Sequence, residues 1–330
     1  MELNTLYGTI HNVSYVNKDK EGKVCDCMLD DKNELHFSLG SVIPKYTYLH
    51  PRDKYRSALA WYPSGAIRSI YLEGKQTIKT SIGMIPAELV TFYESGSIRR
   101  VFPLYGQISG FWKEEEEYQL SEKILLSCPE VIGAYHILCI AFYESGAVKS
   151  ITFWPGEVAL VRINAKEIQA RIGISFYESG EIKTLEPTKG CSILTPFGEV
   201  FAYDNNPNGI TGDHNSLEFD QSKRVIRVST IKTTIKIENI EDGTCYFYKA
   251  QLLPSRINLE EYEYEPIRLQ ILMKGIEITD SHGKVTFFDY DTYIISVYNT
   301  DKEDETCELT KCSNCQGCFH RQGCPSFLHG

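Results

Sequence analysis

Five cysteines crowd one short stretch, CELTKCSNCQGCFHRQGCPSF, where Cys307, Cys312, Cys315, Cys318 and Cys324 follow the spacing C-x4-C-x2-C-x2-C-x5-C-P. Thiolates three residues apart can turn around one metal centre, and the small residues Ser313, Asn314 and Gly317 between them permit the tight turns. The stretch lacks the apolar content to fold alone, so a bound metal would order it. The chain has 11 cysteines, and the other six are scattered over its first 245 residues. An odd total with one dense cluster reads as reduced thiols plus a metal site, in a cytoplasmic protein, rather than as a secreted disulfide framework.

The C-x2-C-x2-C core followed by Cys-Pro resembles the cluster-binding run of bacterial-type ferredoxins, and the resemblance implies an iron-sulfur cluster on these cysteines. A four-coordinate zinc site, with His320 as a further ligand, is the alternative; unliganded, redox-active thiols are the third reading.

Other stretches carry weaker chemistry. In DNNPNGITGDHN, the residues Asp204, Asn206, Asn208 and Gly209 match the opening of a calcium loop. The twelfth position is Asn215 in place of a bidentate Glu, Pro207 intrudes, and flanking helices are missing, so the stretch reads as a long turn. The acidic run Glu114–Glu117 reads as a solvated loop or the first turn of a helix, with Phe111 and Trp112 fastening that insertion to its neighbours. Histidines 11, 36, 50, 136 and 282 are isolated, and no Ser-His-Asp order, HExxH, P-loop or dinucleotide glycine pattern occurs. No nucleophile or general base is nominated, and the expectation is a protein that is not an enzyme.

The elements that must position any site are strands. Tyr (21) and Phe (15) outweigh Met (4), a balance suited to a pleated surface, and 330 residues with 42% hydrophobic content bury a sizeable core. The formal charge of −10 argues against nonspecific binding to nucleic acid or anionic lipid. No stretch approaches the length of a membrane span, and the N-terminus lacks a signal-peptide pattern.

One phrase is written four times: AWYPSGAIRS, TFYESGSIRR, AFYESGAVKS and SFYESGEIKT, with turn glycines Gly65, Gly96, Gly146 and Gly180. Apolar stretches around a Ser-Gly turn signal a hairpin. Pro63 has no amide to donate across a two-residue loop, which points to a three-residue loop: a type I turn, then glycine in the left-handed position of a G1 bulge. Two positions after the glycine stand Ile67, Ile98, Val148 and Ile182; five after it stand Ile70, Val101, Ile151 and Leu185. On a regular strand that odd offset places the two sets on opposite faces, so both faces need cover. The basic third positions, Arg68, Arg99, Lys149 and Lys183, are expected to alternate with the turn glutamates in a ladder of charge. Spacing of this size means a repeat array, each unit holding about two hairpins.

These tyrosine-turn-glycine hairpins resemble the bacterial variants of MORN-type repeats over about residues 58–190. The resemblance implies hairpins stacked into an elongated sheet, and a role as a scaffold or as an immunity partner of a toxin. The expected architecture is all-β: a repetitive antiparallel hairpin array, meander or solenoid-like, with a short cysteine-rich tail. It divides into an N-terminal β-meander cap (1–57), the repeats (58–190), degenerate hairpins (191–300) and the tail (301–330). The leading functional expectation is a non-catalytic scaffold that presents a surface to a protein partner, with a metal-binding tail. The alternative is an iron-sulfur redox or cofactor-handling accessory that docks on an enzyme, and a third is a hydrolase or binding protein with a site in a groove between the array and the later β-region.

Overall fold

The computed structural model describes residues 1–37, 40–128, 130–163, 166–188, 191–204, 212, 215–255 and 260–299. Strands take up 59% of the chain and helix 2%, so the protein is all-β. One antiparallel ladder runs from Val13–Lys18 through Val24–Leu29, Leu59–Trp61, Ile67–Thr80, Gly83–Phe92, Ile98–Phe102, Val131–Phe142, Val148–Phe153, Lys166–Phe176 and Ile182–Pro187. It continues through Leu217–Phe219, Val225–Thr230, Ile267–Ile271 and Gly275–Thr279 to Val285–Asp289. Lys123–Cys128 and Ala159–Ile163 flank it, and the pairings among Val131–Phe142, Val148–Phe153, Lys166–Phe176 and Ala159–Ile163 close a barrel circuit within the sheet.

The repeated phrase forms the expected turn. In each copy the glycine amide donates to the tyrosine carbonyl three residues back, and the tyrosine amide donates to the carbonyl four residues ahead, as in Gly96 to Tyr93 (2.9 Å) and Tyr93 to Ser97 (2.8 Å). Gly96 sits at φ +89°, a left-handed conformation that glycine adopts without strain. The same pair of bonds recurs at Asp19 and Gly22, at Asp220 and Lys223, and at Asp280 and Gly283, so seven hairpins share the turn.

The bulge corrects one expectation about faces. Ile67 pairs with Trp61 and Ile70 with Leu59, with the register slipping between them. Trp61 and Leu59 are two apart and share a face, so Ile67 and Ile70 do too; the extra residue at Arg68 restores the phase. Six of the seven hairpins slip in this way. The result is a straight row of opposed residues: Cys27, Leu59, Ile70, Val90, Val101, Ile140, Ile151, Ile174, Leu185, Leu217, Val228, Leu269 and Ile278. Every member is buried, and none is larger than leucine, which lets neighbouring hairpins stack evenly.

Side hairpins complete each unit. The outer half of Ile67–Thr80 pairs with that of Gly83–Phe92, Lys123–Cys128 pairs with Val131–Phe142, and Cys191–Thr195 pairs with Gly198–Ala202. Their Ile78, Ile85, Leu126, Ile193 and Val200 join the ladder's row in one contiguous core.

The repeated tyrosines bind the units together. Tyr62 Oη donates to the Phe92 carbonyl, Tyr93 to Phe142, Tyr143 to Phe176 and Tyr177 to Phe219, each at 2.7–2.9 Å. Each accepting carbonyl precedes the next turn of the ladder. Tyr7 meets the first repeat differently, its hydroxyl accepting from the Ile67 amide at 3.0 Å. Tyr143→Phe is expected to cost about 0.5–1.5 kcal/mol by urea unfolding, and the four Tyr→Phe changes together several times that. An unchanged midpoint in the fourfold variant would show that the bonds do not hold the ladder.

Candidate functional site

One residue to the side of each member of the apolar row, the opposite face carries a second row: Asp26, Ala60, Ser69, Thr91, Arg100, Ala141, Ser150, Ser175, Thr184, Glu218 and Arg227. These residues are small or polar, and two connecting segments cover them.

Gly212, Asn215 and Ser216 lie over the later part. Gly212 donates to Thr152 Oγ1 (2.8 Å), and its backbone occupies the space where a side chain on Gly173 would stand. Asn215 donates to Thr184, which bonds Ser175. Beneath lies Glu186, fully buried, accepting from the Ser216 amide at 2.8 Å with the Arg171 guanidinium at 3.5 Å. Burial pushes its carboxyl up to about 7, against the pull of the Ser216 bonds and Arg171.

Residues 43–57 and 103–122 cover the earlier part, clamped by buried charge. Arg52 donates to Glu117 (2.6 Å) and Glu88 (2.6 Å). Glu117, in the helix Glu114–Gln119, also accepts from Trp112 Nε1 (2.7 Å) and the Gly106 amide (2.8 Å), and Glu88 accepts from the Tyr105 amide (2.7 Å). Burial would raise the Glu117 carboxyl, but the Arg52 and Trp112 bonds outweigh it and hold the group below the usual carboxylate range. Alongside, Lys45 Nζ lies 3.0 Å from Asp53 and 3.9 Å from Glu73.

Where this cover ends, a groove of about 580 Å³ opens on the ladder's polar face. Tyr15, Asp26, Ala60, Ser69, Tyr71, Leu89 and Thr91, from the first five strands of the ladder, line it, and Tyr55, Arg56, Ser57 and Tyr105 of the clamped segments form its wall. Arg68, the bulge residue of the first repeat, stands at its edge. Lys54 Nζ lies 3.8 Å from the Tyr105 ring centre, Arg56 lies 5.4 Å from it, and Arg56 also donates to the Tyr105 hydroxyl. Asp26 accepts from Ser57 and from Asn17 (3.1 Å). Burial, then Asp53 and Glu88, pushes the Tyr71 hydroxyl up to about 12.

The groove escaped the sequence reading because its residues come from seven separate stretches. The one local signal is HPRDKYRS, a basic-aromatic stretch that supplies Arg52, Tyr55 and Arg56. Cys307, Cys312, Cys315, Cys318, Cys324 and His320 lie outside the described residues, as do Asn206, Pro207, Asn208 and Gly209. Asp204 and Asn215, the ends of the supposed calcium loop, are engaged with the sheet: the Asp204 carbonyl accepts from Arg171 at 2.6 Å. The histidines are dispersed: His11 contacts Glu2, His36 contacts Ser41 and His136 contacts Ser121. Among the described residues no group of three or more His, Cys, Asp or Glu is placed to hold a metal, and Cys25, Cys27, Cys128 and Cys245 are free thiols.

Two further expectations are corrected. Trp112 fastens the insertion, but Phe111 is 87% exposed and fastens nothing. The repeat's basic residues form no ion pair with the turn glutamates among the described residues; Arg99, Lys149 and Lys183 instead lie 5.7–5.9 Å from the ring centres of Tyr93, Tyr143 and Tyr177. The turn glutamates point away at the loop tip, while the tyrosine, one position earlier, lies beside the bulge residue.

No family of proteins, curated protein or solved structure was found to match the chain. No helix among the described residues is long and apolar enough to cross a membrane.

Glu186 makes stability depend on pH. Its carboxyl titrates near 4.5 when unfolded and near 7 when folded, so between those values the folded state holds the extra proton and stability falls as pH rises. The cost reaches about 3 kcal/mol above pH 7. Glu186→Gln is expected to flatten this slope and raise the urea midpoint at pH 8 more than at pH 5; an equal change at both values would contradict it.

Proposed function

We propose that the protein is a non-catalytic β-repeat binding module whose ladder and charge-clamped wall hold the groove at Tyr15, Ser69, Thr91 and Tyr105 open for a protein partner. The observation that carries this reading is the convergence of five neighbouring strands and two clamped segments on one polar groove. Five strands at about 4.8 Å spacing give it a floor of about 19 Å, room for a short segment of another chain. Its titratable groups are poor general bases: both Asp26 oxygens are bonded, and the Tyr71 hydroxyl stays protonated at neutral pH. The scaffold role implied by the resemblance to MORN-type repeats agrees with this reading. An aromatic photo-crosslinking residue at position 55 is expected to give one adduct of defined mass in extracts of the source cells. Filling the groove with Ser69→Trp should abolish that adduct, and its persistence would count against the groove.

The cysteine run supports a second reading, an iron-sulfur or zinc module appended to the same scaffold. Anaerobic purification of the full chain and of a chain ending at residue 300 separates the cases. Iron with sulfide in the full chain alone supports the redox accessory, and stoichiometric zinc supports a structural module. Equal metal content in the two chains would remove both.

A further inference from the structure

Within one wall the basic side chains fall into two groups. Lys45 faces two carboxylates, and so does Arg52. Lys54, Arg56 and Arg68 make no ion pair among the described residues, although Arg56 and Arg68 line the groove and Lys54 shares the Tyr105 ring with Arg56. Asp26, the one acid in the lining, is already met by Ser57 and Asn17. Burial, then the Arg56 charge, holds the Lys54 ammonium below its ordinary value, although Glu117 pulls the other way. In a chain of formal charge −10 this is a local reversal of sign.

Two further features define what such a site would accept. Tyr15 and Tyr55 are 55% and 79% exposed at the groove, so two flat faces stand uncovered beside the cations. Thr91 Oγ1 is buried in the lining with no hydrogen-bond partner, a donor that a ligand oxygen would satisfy. Cations, open aromatic faces and an unmet hydroxyl together call for a ligand that is flat at one end and anionic at the other.

We propose that the groove binds an anion carried on a planar ring, an aryl phosphate or aryl carboxylate, with the ring against Tyr15 and Tyr55 and the anion toward Arg56 and Arg68. This rests on the reading of the groove as the binding site and names what it recognises. The ring-borne anion is either a free small molecule or a modified aromatic side chain of the partner.

The test titrates the full chain by calorimetry with phenyl phosphate, inorganic phosphate, phenol and benzylamine. Phenyl phosphate is expected to bind at least about tenfold more tightly than each of the others. Arg56→Ala with Arg68→Ala should weaken it by about tenfold or more, with an unchanged urea midpoint, and the paired Arg→Lys variant should recover part of the loss. A Gly-phosphotyrosine-Gly peptide that binds more tightly than phenyl phosphate identifies a partner side chain as the source; weaker binding identifies a free ligand. Tighter binding of benzylamine, or no effect of the arginine changes, overturns the anion while leaving the groove as a site. Silence from every probe up to about 10 mM overturns the ligand class if the Ser69-sensitive adduct still forms, and overturns the groove as well if it does not.

Discussion

The bond from each turn tyrosine to the carbonyl ahead of the next turn is the constraint on which the rest of the structure depends. A hairpin alone is marginal in water, and here each is made a unit of a longer ladder by a contact at a fixed place in its turn. Each of these turns also carries a bulge just after it. The same bulge inserts the extra residue that brings Ile67 and Ile70, or Ile98 and Val101, onto one face. In these units turn chemistry, register and core row therefore work together.

A row of apolar residues on one face leaves a polar row on the other, and small polar residues in a long sheet invite whatever can cover them. The two covers solve this differently. At Gly212, Asn215 and Ser216 the chain lies directly on the sheet, with the Gly212 backbone in the place of a side chain on Gly173. Over the first strands the cover stands off and is held by Arg52 between Glu88 and Glu117, an arrangement in which losing one partner would leave buried charge unmet. Standing off creates the groove, and buried charge together with the packed rings of Tyr71, Phe102 and Tyr105 holds its wall.

How much of this was legible follows from what is local. The turn type was readable from Pro63 and the glycines because a three-residue loop is decided by its own residues. The two-hairpin unit was readable for the same reason. The shared face of Ile67 and Ile70 was not, since period-two reasoning fails across a bulge whose position only the pairing reveals. The groove was least legible: Tyr15, Asp26, Arg56, Ser69, Thr91 and Tyr105 are neighbours only because the ladder stacks strands that are far apart in sequence.

Three hairpins that escaped the repeat search explain why the phrase occurs four times and not seven. At Asp19, Asp220 and Asp280 an aspartate replaces the turn tyrosine, and its carboxylate accepts backbone amides of its own loop, from Lys23, Arg224 and Lys284, each at 2.9 Å. The aspartate closes the turn on itself; the tyrosine closes it on its neighbour. Tyrosine is therefore kept where the next hairpin offers a carbonyl, in the four central units, and aspartate is used in the hairpins before and after them. Lys223 even holds the left-handed position at φ +61° without glycine, at a cost of about 1 kcal/mol offset by its ion pair with Glu130 at 3.1 Å. The sequence motif thus marks the part of the ladder that depends on contact between units, rather than the extent of the ladder itself.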